Sequence, residues 1–289
     1  MNKFLVFFLF LTISLTGQIK GVVKDSISGE PIPYVSIWIE NKSTGTSSEE
    51  NGTFVINAKE TNRLQFSCLG YKDTTLKINE NGIYLLSPEI YQINEVIVFS
   101  AKRTKVNKIG NSEFSRSSHL QGAIPQILAK KFDYDSIVKE TNFLKEIEIF
   151  TKSPIKDAIL KIRILEFDTI TSLPGKSLVD ESILVKVGKG RKKTIVDVSN
   201  QNISIPKSGI VIGIENVIIE SNKYFESHGQ KIERTFYAPA VLLNYVEEEN
   251  SFMFVNLHWF KRIKHLVEFG NNKGKKMVIE PAINIVLTN

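Results

Sequence analysis

The residues best suited to chemistry in this 289-residue chain are few and widely spaced. Its four histidines, His119, His228, His258 and His265, make neither a His-Glu-x-x-His helix motif nor the paired-cysteine spacing that sets zinc ligands tetrahedrally, so no metal site is expected among them. His265-Leu266-Val267-Glu268 supplies one His-x-x-Glu pair, but with 4 His and 31 acidic residues in the chain such a pair arises by chance about two times in five. The basic, glycine-containing run Gly188-Lys189-Gly190-Arg191-Lys192-Lys193 lacks the spacing by which backbone amides wrap a phosphate. No Gly-x-Ser-x-Gly elbow presents a serine nucleophile. Asp168, Asp197 and Glu215 lie near the ends of strand-like runs; together they would offer oxygen ligands to calcium, and singly they would cap turns or pair with lysines. Cys68 is the one cysteine, which rules out an internal disulfide, and its alternation with Phe66 reads as a small buried hydrophobe. The residue inventory therefore predicts no catalytic centre and no cofactor.

The elements that would position these residues are strands. Short alternating apolar runs, punctuated by Gly, Asn, Ser, Asp and Pro, recur along the whole chain. The first set falls near 19–24, 34–40, 53–57, 63–69, 74–78 and 95–99. The second falls near 146–151, 159–167, 182–187, 194–198, 210–219, 235–243, 252–260 and 277–287. One short helix is expected over 120–132, where Ile124, Ile127 and Leu128 share a side and Pro125 suits a first turn. Pro281 belongs at an edge or bulge of the closing strand. The pattern predicts an all-β protein of two β-sandwiches, the second larger and jelly-roll-like. Between them, residues 101–118 hold five basic side chains against the single acid Glu113 and read as a linker or an irregular entry to the next unit.

The N-terminus starts Met1-Asn2-Lys3, continues with an apolar stretch over residues 4–13 and ends in a small and polar exit, as an export signal does. That stretch is too short to span a membrane. Residues 1–17 are therefore read as a signal peptide, and the chain as exported. The net charge of +6 and pI near 9.1 come from short basic runs beside glycines. No nucleic-acid module accompanies them, so solvated loops are expected and nucleic acid is not, while weak attraction to anionic lipid or polysaccharide stays open. Glu247-Glu248-Glu249-Asn250 reads as a solvated turn.

Several landmarks fall in order along residues 18–100: Gly21-Val22-Val23-Lys24-Asp25, Gly29-Glu30-Pro31-Ile32-Pro33-Tyr34-Val35, Gly45-Thr46-Ser47-Ser48, Asn51-Gly52-Thr53-Phe54, Leu69-Gly70-Tyr71 and Ile93-Asn94-Glu95-Val96-Ile97-Val98. This stretch resembles the carboxypeptidase-regulatory-like domain, a transthyretin-like sandwich that also looks like the N-terminal extension of TonB-dependent outer-membrane receptors. The resemblance implies no catalytic residues and an envelope setting in a Gram-negative bacterium, in the periplasm or at the outer membrane. The roughly 190 residues that follow are too few for a receptor barrel and plug. No histidine follows His265 to complete a zinc carboxypeptidase set. Residues 119–289 resemble, more loosely, the C-terminal sandwiches of uncharacterised secreted proteins.

The resemblance also orients the run Tyr34-Val35-Ser36-Ile37-Trp38-Ile39-Glu40. Val35, Ile37 and Ile39 face the core, while Tyr34 and Trp38 face outward, where they would meet a sugar ring or partner protein, or be covered by the second domain. Burial, with Trp38 under a third exposed, is the expected outcome, and Trp259 has the same two readings. Tyr34, Trp38 and Trp259 are thus the candidate ligand or partner surface. The function read from the sequence is a non-catalytic envelope protein that binds or scaffolds an outer-membrane or periplasmic protein or a glycan. The alternative is an envelope hydrolase with an unfamiliar site in the second sandwich.

Overall fold

The computed structural model describes residues 17–57, 62–89, 104–110, 112–227, 233–268 and 272–289. The apolar stretch at 4–13, the strand expected at 95–99, and His228 lie outside the described residues.

The protein is nearly all β, as the two-residue rhythm requires. In the first unit, Thr53–Asn57, Gln18–Asp25 and Ile83–Leu86 form one sheet, with Gln18–Asp25 antiparallel to the first and parallel to the last. Gly45–Ser47, Ser36–Ile39, Arg63–Ser67 and Thr74–Lys77 form the other, antiparallel throughout. Val23, Val35, Ile37, Ile39, Leu64 and Leu86 fill the space between them. At its centre Phe54, Phe66 and Tyr84 pack with ring centroids 5.1–6.2 Å apart. Cys68 joins this core, and burial pushes its thiol pKa up, so it is the inert small hydrophobe its spacing suggested.

The second unit is larger. One sheet orders Leu173–Ser177, Ala158–Asp168, Ile210–Asn216, Ile127–Phe132, Ser251–Val255 and His258–Lys261, with Ile183–Val187 also on Ala158–Asp168. The facing sheet orders His265–Leu266, Lys276–Pro281, Glu233–Val246, Phe143–Ser153, Ile283–Thr288 and Val106–Ile109, with three further strands at its flanks. A core that includes Leu160, Ile162, Ile164, Ile212, Ile285 and Leu287 lies between them. The strand Val106–Ile109 comes from the stretch read as a linker, and its pairing with Ile283–Thr288 ties that stretch into the second unit's sheet.

The helix expected over 120–132 is corrected by the structure. Ser118–Gln121 and Ile127–Phe132 are strands, and the second lies between Ile210–Asn216 and Ser251–Val255 with nearly every residue buried. A strand covered on both faces loses its alternation and reads as a continuous apolar run, which periodicity alone does not separate from a helix. The α-helix of the described residues is Ser136–Glu140, capped by Asp135, whose carboxylate accepts from the Val138 amide at 2.9 Å.

Two long expected strands are each broken once. Asn256 and Leu257, both at positive φ, turn 252–260 into a hairpin. Near Pro281 the chain changes partners, so that Lys276–Pro281 pairs with Glu233–Val246 and Ile283–Thr288 pairs with Phe143–Ser153.

Candidate functional site at the seam between the units

Strand Ser36–Ile39 is buried on both faces. Ile37 and Ile39 point into the first core, so Ser36 and Trp38 must point the other way, onto the outer face of the second unit's seven-stranded sheet. Trp38 is 1% exposed, as expected. Its indole meets Phe254 edge-to-face at 6.1 Å and its Nε1 donates to the Pro125 carbonyl at 2.9 Å. Tyr34 sits at φ 56, outside the strand, and packs with Val217 and Ile219. Trp259 is half-buried and stacks at a tilt on Phe254 at 5.1 Å, so one phenylalanine links both tryptophans in a single cluster.

Charged residues lie beneath this apolar contact. Lys161 and Glu215 are directly opposed on neighbouring strands, and Arg163 is opposed by Gly213, whose missing side chain leaves the guanidinium free to lean toward Glu215. Lys161 Nζ and Arg163 Nε each approach a Glu215 oxygen at 2.5 Å, and all three residues are buried. The first unit completes the group: Ser36 Oγ donates to Glu215 Oε1 at 2.7 Å and Lys161 Nζ donates to the Tyr34 carbonyl at 2.6 Å. Burial alone would raise the Glu215 pKa, but the charges of Arg163 and Lys161 outweigh it and hold the carboxyl at about 2. Nearby in the first unit, burial raises the carboxyl of Asp73, which feels the charge of Arg163.

The backbone also crosses the seam. The edge strand Gly45–Ser47 donates from Gly45 N to the Ala123 carbonyl and from Ser47 N to the Ile218 carbonyl, both at 3.1 Å. Ile218 N donates back to Ser47 Oγ at 3.0 Å, and Glu220 N donates to Glu49 Oε1 at 2.9 Å. An edge that would otherwise template pairing with another chain is thereby covered. A Cβ on Gly45 would collide with Pro125 Cδ and lie 2.7 Å from the Ile37 carbonyl. Gly45→Ala is therefore expected to lower stability by about 1–3 kcal/mol in urea unfolding, the usual range for overpacking, and an unchanged midpoint would show that the seam yields to an added methyl group.

Comparison with known proteins bears on the first unit. Its residues 19–98 match the family model of the CarboxypepD_reg-like domain. The first unit is a CarboxypepD_reg-like domain. The TonB-dependent receptor SusC of Bacteroides thetaiotaomicron is 28% identical over 107 residues, 36% of this chain and 11% of the receptor. The TonB-dependent receptor P3 of Formosa agariphila is 26% identical over 141 residues, 45% of this chain and 14% of the receptor. The chain thus spans well under a fifth of either receptor's length. Among solved structures, one titled for the infectious bursal disease virus Gx strain covers 89% of this chain and 62% of its own at 12% identity, but its TM-score of 0.27 supports no argument.

Beside the seam, the CarboxypepD_reg-like domain and the second unit enclose a cleft of about 380 Å³. Thr46, Glu49 and Asn57 line it from the domain, and Glu220, Lys223 and Tyr237 from the other side. Its lining is mainly polar, suited to hydrogen bonding more than to holding an apolar ligand.

The remaining sequence candidates are dispersed. Asp168 accepts from Ile170 N and Thr171 Oγ1, both at 2.8 Å, and Asp197 accepts from Ser199 N at 2.9 Å, so each caps its own turn. Glu215 is taken up by Lys161 and Arg163. The three acids therefore do not form a calcium site, and among the described residues no group of three His, Cys, Asp or Glu is placed to hold a metal. His119 is half-buried against Gln126 with its pKa lowered by burial, while His258 and His265 are exposed. Sequence reading missed Lys161, Arg163 and Ser36. The only available signal was two cations inside an otherwise aliphatic strand, Leu160-Lys161-Ile162-Arg163-Ile164, which demands partners if both faces are covered.

Proposed function

We propose that this chain is a non-catalytic cell-envelope protein of a Gram-negative bacterium, exported to the periplasm or the inner side of the outer membrane, where it binds or scaffolds a partner protein or a glycan. The observation that carries this reading is the seam. The sheet face of the CarboxypepD_reg-like domain bearing Tyr34, Ser36 and Trp38 is spent on the second sandwich, which joins the two units into one body with a polar cleft at their junction. Both relatives are TonB-dependent receptors, which supports the envelope setting. Polar side chains around a cleft suit a peptide backbone or sugar hydroxyls, both of which need hydrogen-bond partners when they leave water.

The test is a photo-crosslinking residue placed at Lys223 or Tyr237 in cells that make the protein, with a second at the far-side residue Ile170, which is 94% exposed. A discrete envelope protein or saccharide adduct from the cleft positions, absent from position 170, is the expected result. Recovery of the protein from the cytosol, or equal labelling at all three positions, would count against the reading. Turnover of an envelope polymer by the purified chain would favour the hydrolase.

A further inference from the structure

At one corner of the second unit the chain passes from the edge of one sheet to the edge of the other. His258–Lys261 ends the seven-stranded sheet, His265–Leu266 borders the facing sheet, and three residues join them. Within this crossing Phe260, Ile263 and Leu266 are 49, 70 and 57% exposed. Leu266 lies directly across from Lys276, and Lys264, Lys273, Lys275 and Lys276 are exposed, as are His258 and His265. From 258 to 276 the basic residues Lys261, Arg262, Lys264, Lys273, Lys275 and Lys276 face one acid, Glu268. The neighbouring turn contributes the exposed Glu247 and Glu248 as well as Glu249, which pairs with Lys261 at 3.4 Å, so the six basic residues still outnumber the four acids around the corner.

We propose that this corner docks on an anionic lipid surface, with Phe260, Ile263 and Leu266 entering the boundary between headgroups and acyl chains and Lys264, Lys273, Lys275 and Lys276 meeting lipid phosphates. Three large apolar side chains within seven residues exceed the scattered exposure ordinary on soluble proteins. A purely polyanionic ligand has no use for them, and an apolar protein groove has no use for the lysines. An interface with an apolar interior and a negative rim uses both, and long lysine stems let the charge stay at the headgroups while the chain sits lower. The inference goes beyond the partner reading above: failure of lipid binding would leave crosslinking at Lys223 untouched.

The test uses the full chain with Ile263→Cys carrying an environment-sensitive dye; Cys68, the native thiol, is buried and escapes labelling. Ile170→Cys, labelled in the same way, is the control. Vesicles of phosphatidylethanolamine with about 30% phosphatidylglycerol, in about 0.1 M salt, are expected to blue-shift the dye at 263 but not at 170, and phosphatidylcholine vesicles are expected to leave both unchanged. Lys264→Gln with Lys275→Gln should weaken the partitioning about thirtyfold, at roughly fivefold per charge. No shift at 263, equal shifts at both positions or with both lipids, an unchanged partition in the lysine variant, or an equal shift with a soluble polyanion would each overturn the proposal.

Discussion

Trp38→Ala is expected to cost the protein about 3–5 kcal/mol, the range for removing a fully buried large aromatic side chain. The indole fills the seam, meets Phe254 edge-on and satisfies the Pro125 carbonyl, so truncation leaves both a cavity and an unpaired buried acceptor. Because Trp38 belongs to neither unit's own core, its loss falls on the joint. Calorimetry should therefore resolve one transition in the natural chain and two in the variant, with the CarboxypepD_reg-like domain melting apart from the larger sandwich. A single transition shifted by less than about 2 °C would mean that the seam contributes little to stability.

Glu215→Gln is expected to have an effect of the same size for an electrostatic reason. It leaves Lys161 and Arg163, both buried, without their shared counter-charge, and breaking a buried pair in this way costs about 3–5 kcal/mol. Replacing all three residues by methionine should recover much of that loss, since an apolar seam carries no stranded charge. If the triple variant is as unstable as Glu215→Gln, the group supports stability through something other than charge balance.

The same residue sets a pH dependence. The folded-state pKa of Glu215, about 2, lies below its ordinary value of 4.5, so its contribution is fully present above about 4.5 and is lost as the pH falls through that window toward 2. The shift is worth about 3 kcal/mol. Glu148 adds to it: burial opposes ionisation there, but hydrogen bonds from Lys108, Asn284 and Lys193 bring the carboxyl to about 2. Glu280 acts in the opposite direction, because burial raises its pKa despite the Lys130 ion pair at 2.6 Å. Urea unfolding from pH 6 to pH 3 should therefore show falling stability, with a shallower slope in Glu215→Gln; equal slopes would remove Glu215 from the explanation.

How far the sequence carries the site differs residue by residue. Trp38 could be placed off the first core by counting alternate positions from Val35, Ile37 and Ile39, and its burial followed from the rarity of large exposed apolar patches. For Glu215 the sequence offers calcium shared with Asp168 and Asp197 or pairing with a lysine; the structure has the second, with Lys161, and adds Arg163 and Ser36, which no local pattern singles out. The expected helix over 120–132 missed because its apolar run is a central strand covered on both sides.

The sequence by itself determined most of the strands, the inward face of the first sandwich and the domain type of residues 19–98. These depend on side-chain alternation and on Gly, Asn and Asp at turns, which are properties of neighbouring residues. Tertiary structure alone decided what covers the outward face of Ser36–Ile39, how Lys161 and Arg163 are neutralised, and where the two units leave a cleft. Those outcomes depend on strand order and sheet-to-sheet docking, where residues from about fifty to well over a hundred positions apart meet, and no local pattern encodes which of the many available apolar faces will close on another.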